Sequence, residues 1–321
     1  MICIRREKSP KRKMYEEAKS YFKNKYANNV TSKNYTMCYK RFLNYCHEFH
    51  NTKTKDDCKK YIQEYIDYLA EKQKPSSVHT AAAAICSLHC IPLGDISKPK
   101  RITSNYTRGR PNNDRHERND NDLNNPAYSR LVEFQRRVGI RRSELARLTS
   151  EDFLEKDGNF YVSVRRGKGG KRQEELVLPY DVNFVKSYFT NTPTGERIFS
   201  KAEMKNHLNL HTLRAQAAKD TYAYLENQLK SEGEDYRKKL EAELREAWDK
   251  NNINPKTGKT KPFPEERLTG TYFLRGKSKD FAIKNNLPIC YDRLLVFYVS
   301  VFKLAHYRLG VTVQSYLNIL T

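Results

Sequence analysis

An apolar run of the roughly 18 residues that a membrane-spanning helix needs is missing from this sequence. The basic stretch MICIRREKSPKRK at its start also lacks the apolar core and the small-residue cleavage motif of a signal peptide. No basic amphipathic anchor stands apart from the other helical patterns. We therefore expect a cytoplasmic protein that has no membrane partner.

Cysteines paired at metal-ligand spacing are lacking too. The seven cysteines are an odd number, and most of them lie at apolar positions of helical patterns. A zinc site is the less favoured alternative, because its candidate ligands lack a C-x-x-C pair. These candidates are Cys86, His89 and Cys90, with Cys46, His47 and His50 upstream. We expect packed cysteines in a reducing compartment, no metal and no other cofactor.

Acidic residues are too few to balance the basic ones. Sixty Lys and Arg face 38 Asp and Glu, which gives a formal charge of +22 and a pI of about 9.6. Such an excess destabilises a compact chain by self-repulsion unless a polyanion offsets it, and nucleic acid is the partner that fits. With 321 residues, of which 38% are hydrophobic, the chain is long enough for two domains.

Residues 1–100 predict a small helical domain. Apolar residues recur at helical spacing, as in Tyr35, Cys38 and Phe42. Three of the four predicted helices are preceded or opened by residues that favour helix starts, namely Thr31 or Ser32, Thr54 and Pro75. We therefore expect a four-helix N-terminal domain whose basic solvent faces can contact a phosphate backbone.

The rest of the chain divides by composition. Residues 101–125 are rich in Pro, Gly, Asn, Asp and Arg without periodicity, which predicts an inter-domain linker. Residues 126–321 return to periodic patterns and predict a second domain. Within it, the highly charged stretch at about 226–286 predicts a helical excursion inserted into that domain.

Local patterns place elements in the second domain. Phe160 to Val164 alternates as a strand, Gly167 to Gly170 predicts a turn, and Glu175 to Leu178 predicts the returning strand of a hairpin. Further on, His211 and Arg214 lie three residues apart in a helical pattern, so they share one helix face. A last helix is predicted from Leu294 to Lys303.

Six residues in this domain are candidates for chemistry. Each basic motif is unremarkable alone, because Lys and Arg clusters in so basic a chain are mostly solvated surface. Their order is more informative. The chain presents, in sequence, Arg141 in GIRRSEL, Lys168 in the hairpin turn, His211 and Arg214 in HTLR, His306 in LAH, and Tyr316 in SYL.

This order resembles the tyrosine recombinase (phage integrase) family. GIRRSEL is similar to the family's GLRxSEL box, RGKGGKR to its GKGxKxR hairpin, HTLR to its HxLR box, and LAHYRLGVTVQSYL to its LGHxRxxVTxxYL box. The resemblance implies a mainly α fold with a small β-hairpin or sheet. It would comprise a four-helix, SAM-like core-binding domain followed by an α+β catalytic domain.

The chemistry of strand cleavage independently asks for these residue types. Attack on a phosphodiester needs an oxygen nucleophile, neutralisation of the nonbridging oxygens and a proton for the leaving group. Tyr316 supplies the nucleophile, His211 is suited to take its proton, and Arg141 and Arg214 offer charged forks that match phosphate. The resemblance implies that Lys168 is the general acid and that His306 donates a hydrogen bond to the phosphate.

Neighbours of the same types compete for these roles. The family register favours Arg141 over Arg142, which we assign to DNA or surface contacts. Lys168 is favoured over Lys171 in the same way. Glu144 is interpreted as a buttress of the first box. Three further tyrosines compete with Tyr316, namely Tyr291, Tyr298 and Tyr307.

The sequence departs from the family pattern at two positions within the matching boxes. Ala305 stands where the family usually has Gly, and Ala215 replaces a frequent His. Both changes leave the six functional side chains in place.

Taken together, the residues and the resemblance predict a site-specific DNA recombinase or integrase of a mobile genetic element, acting in DNA integration and transposition. The resemblance implies 3′-phosphotyrosine links, a Holliday junction and a homotetramer on double-stranded recombination sites. Accessory DNA-bending proteins are further candidate partners, and DNA binding would associate the protein with the nucleoid. Two alternatives stay open: strand relaxation of the type IB topoisomerase kind, and a catalytically degenerate DNA-binding protein.

Overall fold

The chain forms two compact units that divide after Ile102, here called the N-terminal unit and the C-terminal unit. The computed structural model describes residues 9–26, 29–102, 123–167, 172–253 and 257–320. Most of the predicted linker and the hairpin turn with Lys168 and Lys171 lie outside the described residues.

The N-terminal unit is built from helices. Five helical segments follow one another: α1 (Pro10–Lys25), α2 (Asn29–His50), α3 (Lys55–Lys59), α4 (Ile62–Lys72) and α5 (Pro75–His89). Four were predicted, and the third is divided because Tyr61 leaves the helical conformation with φ −104° and ψ 13°. Thr54 caps α3 by accepting from the Asp57 amide, and Pro75 opens α5, as predicted.

The predicted cap of the second helix is wrong. Helix α2 begins at Asn29, so Thr31 and Ser32 lie inside its first turn. This turn leads into Tyr35, whose ring packs 5.2 Å from that of Tyr26 at the end of α1. Packing between α1 and α2 therefore favours an earlier helix start than the capping residues alone indicated.

Cysteines of this unit contribute to its core. Cys46, Cys58 and Cys86 are buried among aromatic and aliphatic side chains, whereas Cys90 is exposed and ends α5 in a left-handed conformation with φ 53°. Across the described part of the chain, no group of three or more His, Cys, Asp or Glu side chains is arranged to hold a metal ion. Within the same residues, no helix is long and apolar enough to span a bilayer.

The C-terminal unit combines helices with two small antiparallel sheets. Its elements are α6 (Ser129–Val138), α7 (Arg142–Leu145), β1 (Phe153–Lys156), β2 (Asn159–Val164), β3 (Gln173–Val177), α8 (Val182–Thr190), α9 (Leu210–Glu232), α10 (Glu234–Asn251), β4 (Thr271–Phe273), α11 (Gly276–Lys284), β5 (Cys290–Asp292), α12 (Arg293–Phe302), α13 (Leu309–Thr312) and a π-helical turn (Val313–Leu317). The described chain is thus mostly helical.

The first sheet has the strand order β1-β2-β3. Strands β2 and β3 are the predicted hairpin, and β1 was missed because its four residues are too few to show a clear period. Side chains alternate between the two faces, since Tyr161 and Leu176 join one apolar cluster and Val162 and Val177 join another. The sheet therefore lies between two layers of core.

The charged stretch at about 226–286 contributes buried side chains to the core of the C-terminal unit. Helix α9 continues to Glu232, and α10 buries Leu240, Leu244 and Trp248 in the cluster that also contains residues of α12. Strand β4 pairs with β5 beyond the stretch, with Thr271 opposite Asp292. The sequence showed the helical period of α10 but not which surface it would cover.

Candidate active site

The site begins at the end of α6, where Gly139 makes a close approach to α9. Gly139 has φ 70°, and a Cβ atom on it would lie 2.7 Å from Cβ of Ala217. Its carbonyl accepts a 2.6 Å hydrogen bond from Nη1 of Arg214. Glycine is therefore required here for both conformation and space, and its backbone helps to orient one of the two candidate arginines.

Arg141 directly precedes α7, and Glu144 holds its side chain. The Arg141 guanidinium donates from Nη1 to Glu144 Oε1 at 2.8 Å, and the Arg141 amide donates to Glu144 Oε2 at 2.9 Å. Glu144 is almost fully buried. The same Nη1 also reaches Oε1 of Gln173 at 3.2 Å, which places the base of the β2–β3 hairpin beside Arg141. The predicted role of Glu144 as a buttress is confirmed.

The two arginines meet at one backbone oxygen. The carbonyl of Leu304 accepts from Arg141 Nη2 at 3.0 Å and from Arg214 Nη2 at 2.8 Å. Arg214 is 2% exposed, so its charge lies inside the protein. Two guanidinium groups from distant parts of the sequence thus converge on a single point, an arrangement suited to an anionic ligand with several oxygens.

Tyr316 lies next to this point. It belongs to the π-helical turn, and its ring centroid is 5.0 Å from that of His211 and 5.7 Å from that of His306. The guanidinium carbon of Arg214 is 5.9 Å from the centroid of the same ring. The structure therefore brings together five of the six sequence candidates, and the sixth, Lys168, lies outside the described residues.

The loop that carries His306 is anchored on both sides. Lys303 donates from Nζ to the carbonyls of Arg137 and Leu176, both at 2.8 Å. Beyond His306, the Tyr307 carbonyl accepts from Arg267 at 2.8 Å. Ala305 has a positive φ of 44°, a conformation in which an L side chain is strained and glycine is not.

Residues of the charged stretch support the His306 loop and the segment around Tyr316. The Trp248 ring packs 5.8 Å from the Tyr307 ring. After the π-helical turn, Asn318 donates from Nδ2 to the carbonyl of Ser278 in the stretch at 3.0 Å. Lys219 of α9, which precedes the stretch, donates to the Ile319 carbonyl at 2.5 Å. The stretch is therefore a structural support of the site.

Arg142, which we assigned to DNA or surface contacts, is half-buried and makes hydrogen bonds within the C-terminal unit. Its guanidinium donates to Asn206 Oδ1 at 2.8 Å and to the Leu208 carbonyl at 2.7 Å. Burial lowers the pKa of this arginine. The side chain therefore holds the segment before α9 through one side-chain oxygen and one backbone oxygen.

The competing tyrosines have other environments. Tyr298 is buried and donates to Glu243 at 2.5 Å, and burial raises its pKa well above the ordinary value. Tyr291 is buried in the core, and Tyr307 packs on Trp248. Of the three and Tyr316, only Tyr316 has ring contacts with both His211 and His306 among the residues described.

Sequence reasoning missed two buried charged side chains near Arg214, those of Glu175 and Lys303. Glu175 on β3 is fully buried, and Nη2 of Arg214 lies 4.0 Å from its Oε1. Burial raises the pKa of Glu175 to about 8 and lowers the pKa of Lys303 to about 8. A signal existed for Lys303, because it is the one charged residue in the apolar run LLVFYVSVFKLA.

No protein-family model and no curated protein sequence matches the chain. Among solved structures, the crystal structure of XerA recombinase is similar to it at 16% sequence identity, over 65% of this chain and 84% of that chain, with a TM-score of 0.24. A similarity at this score does not assign a function to the chain.

Proposed function

We propose that the protein cleaves and rejoins DNA strands through a covalent bond between Tyr316 and a 3′ phosphate, as a site-specific recombinase or integrase does. One observation carries the proposal. Arg141 and Arg214 converge on the Leu304 carbonyl, and the Tyr316 ring lies 5.9 Å from the Arg214 guanidinium carbon. A nucleophile and two permanent positive charges are what attack on a phosphodiester needs.

Each residue then has a role. The guanidinium groups exchange the Leu304 carbonyl for nonbridging phosphate oxygens, which are stronger acceptors because they are charged. His211, whose ring lies beside that of Tyr316, takes the phenolic proton as the oxygen attacks phosphorus. The P–O bond to the 5′ oxygen breaks, and the phosphate is left joined to Tyr316.

The remaining steps complete the cycle. Lys168 protonates the leaving 5′ oxygen, and His306 donates to the phosphate, as the resemblance implies. Because the tyrosyl phosphate conserves the energy of the cleaved bond, a 5′ hydroxyl of another strand can attack it and restore the backbone without ATP. Exchange of strand pairs on two sites would pass through a Holliday junction in a homotetramer.

The decisive experiment traps the covalent intermediate. The protein is incubated with a library of nicked duplexes, in which cleavage releases a short fragment and religation is prevented. The expected result is a protein–DNA adduct that resists denaturation, with the DNA on the peptide that contains Tyr316 by mass spectrometry. Tyr316→Phe abolishes the adduct, whereas Tyr180→Phe, at a tyrosine 66% exposed, retains it.

Other outcomes select other functions. An adduct that persists in Tyr316→Phe refutes the nucleophile. Relaxation of supercoiled plasmids of unrelated sequence by the monomer indicates a topoisomerase. Salt-sensitive DNA binding without any adduct indicates a DNA-binding protein that lacks catalysis.

A further inference from the structure

Glu175 is an unusual residue to find at a phosphate-binding site. It lies on β3, inside the protein, and neither of its carboxylate oxygens has a hydrogen-bond partner among the described residues. A buried carboxylate without hydrogen bonds is costly, because the protein interior replaces the water that would solvate its charge. Such a group is retained only where neighbouring charges offset that cost.

Charged groups face Glu175 from each element around it. Arg214 of α9 is closest, with Nη2 at 4.0 Å from Oε1, and Lys303 follows α12. Arg141 and Glu144 act on it from the segment of α7. Burial raises the pKa of Glu175 above that of an ordinary carboxyl, and the three cations act in the opposite direction.

The N–H groups of Lys303 and Arg214 donate to backbone carbonyls and not to Glu175. Lys303 donates from its ammonium to the carbonyls of Arg137 and Leu176. Arg214 uses both terminal nitrogens on backbone carbonyls, and its buried Nε has no hydrogen-bond partner within the described chain. Glu175 therefore acts on Arg214 by charge at a distance and leaves the guanidinium geometry to the backbone.

We propose that Glu175, when it is ionised, balances the charge of Arg214 in the DNA-free protein and takes up one proton when a DNA phosphate binds at the two arginines. This inference rests on the proposed function in one respect, that a phosphate binds there. The phosphate brings a second negative charge to the same guanidinium group. Two neighbouring anions in a buried site cannot both stay ionised cheaply, so the carboxylate accepts a proton from solvent and becomes a neutral carboxyl.

Phosphate binding and protonation of Glu175 are then linked, and the arrangement around Arg214 decides whether affinity rises or falls with pH. The protonated protein presents Arg214 without a competing anion and binds phosphate more tightly. The ionised protein must take up a proton first, so its affinity falls as the pH rises. Glu175 in the DNA-free protein has a pKa of about 8. Above that pH, the affinity for phosphate decreases about tenfold for each pH unit.

The test measures DNA binding without chemistry. Tyr316→Phe protein is titrated with a fluorescent nicked duplex from pH 6.5 to 9, with and without Glu175→Gln. Glutamine keeps the shape of the protonated carboxyl, so the two proteins should bind alike at pH 6.5. At pH 9, the Glu175→Gln protein should bind about tenfold more tightly. Glu174→Gln is the matched control, because Glu174 directly precedes Glu175 in β3 and its side chain is 39% exposed.

A second measurement counts protons directly. Calorimetry of the same binding at pH 9, in buffers of different ionisation enthalpy, should detect uptake of about one proton per protein, which the Glu175→Gln protein should not show. A purely structural role for Glu175 predicts weaker binding by the glutamine variant at every pH. Parallel pH profiles, or no proton uptake at pH 9, overturn the inference.

The two proposals fail separately. A covalent adduct on Tyr316 with no proton linkage overturns the role of Glu175 and leaves strand transfer intact. Proton-linked binding with no adduct supports the role of Glu175 in phosphate binding and overturns strand transfer.

Discussion

Replacing Lys303 by methionine is the perturbation most directly tied to this structure. Lys303 is fully buried, and its ammonium donates to the carbonyls of Arg137 and Leu176. Methionine has similar length but no donor and no charge. The Lys303→Met protein therefore loses the contacts that anchor the loop with His306 and the charge that faces Glu175.

The expected loss of stability can be worked from these contacts. Each buried carbonyl that loses its donor costs about 1–3 kcal/mol. Removal of a buried ammonium, which is itself expensive to desolvate, offsets part of this cost. A net loss of about 2–4 kcal/mol corresponds to a decrease in melting temperature of roughly 5–15 °C for a unit of this size.

The difference in stability between the wild type and the Lys303→Met protein should depend on pH. Without Lys303, the folded-state pKa of Glu175 rises above about 8, because an ammonium that lowers it is gone. A carboxyl whose pKa is raised on folding stabilises the fold at low pH, and that contribution is lost as the pH rises. In the wild type, Glu175 and Lys303 both have a pKa of about 8. Glu175 is therefore already ionised above that pH, and most of this loss of stability does not continue there. The stability difference should thus be constant below pH 8 and increase towards pH 9.

Thermal unfolding at pH 6.5 and pH 9, followed by circular dichroism, measures both effects. Lys156→Met is the control, since Lys156 is 44% exposed and its ion pair with Glu246 contributes less than about 1 kcal/mol. A Lys303→Met protein that melts with the wild type at both pH values would refute the assignment of a buried anchoring ammonium.

Two further substitutions test the supports of the His306 loop. Ala305→Gly should stabilise the protein by about 1 kcal/mol, because Ala305 has φ 44° and glycine adopts this conformation without strain; a lower melting temperature would contradict this. Trp248→Ala should cost about 3–5 kcal/mol and reduce the yield of covalent adduct, because Trp248 packs on Tyr307 beside His306. Adduct yield equal to that of the wild type at a temperature where the variant is folded would show that α10 does not support the site.

Local patterns in the sequence predicted the elements that carry the candidate residues. The three-residue spacing of His211 and Arg214 lies in the first turns of α9, and the alternation at Phe160 to Val164 lies in β2. Such elements are set by hydrogen bonds and side-chain periods within a few residues, so they can be inferred without knowing the rest of the fold.

Other features required the packing of the whole C-terminal unit. The inward orientation of Arg142 depends on the carbonyl of Leu208, and the role of the charged stretch depends on the surface that α10 covers. Leu208 is far from Arg142 in the sequence, and the α12 residues that α10 covers are far from α10.

The sequence by itself determined which functional groups this protein has: two guanidinium groups, two imidazoles, a late phenol and a large positive charge. The tertiary structure alone decided that Arg141 and Arg214 share the Leu304 carbonyl and that Glu175 lies behind them. The physical reason is that these contacts join residues far apart in the chain, where the choice of partner is made by burial and charge balance in the assembled core and not by any local period.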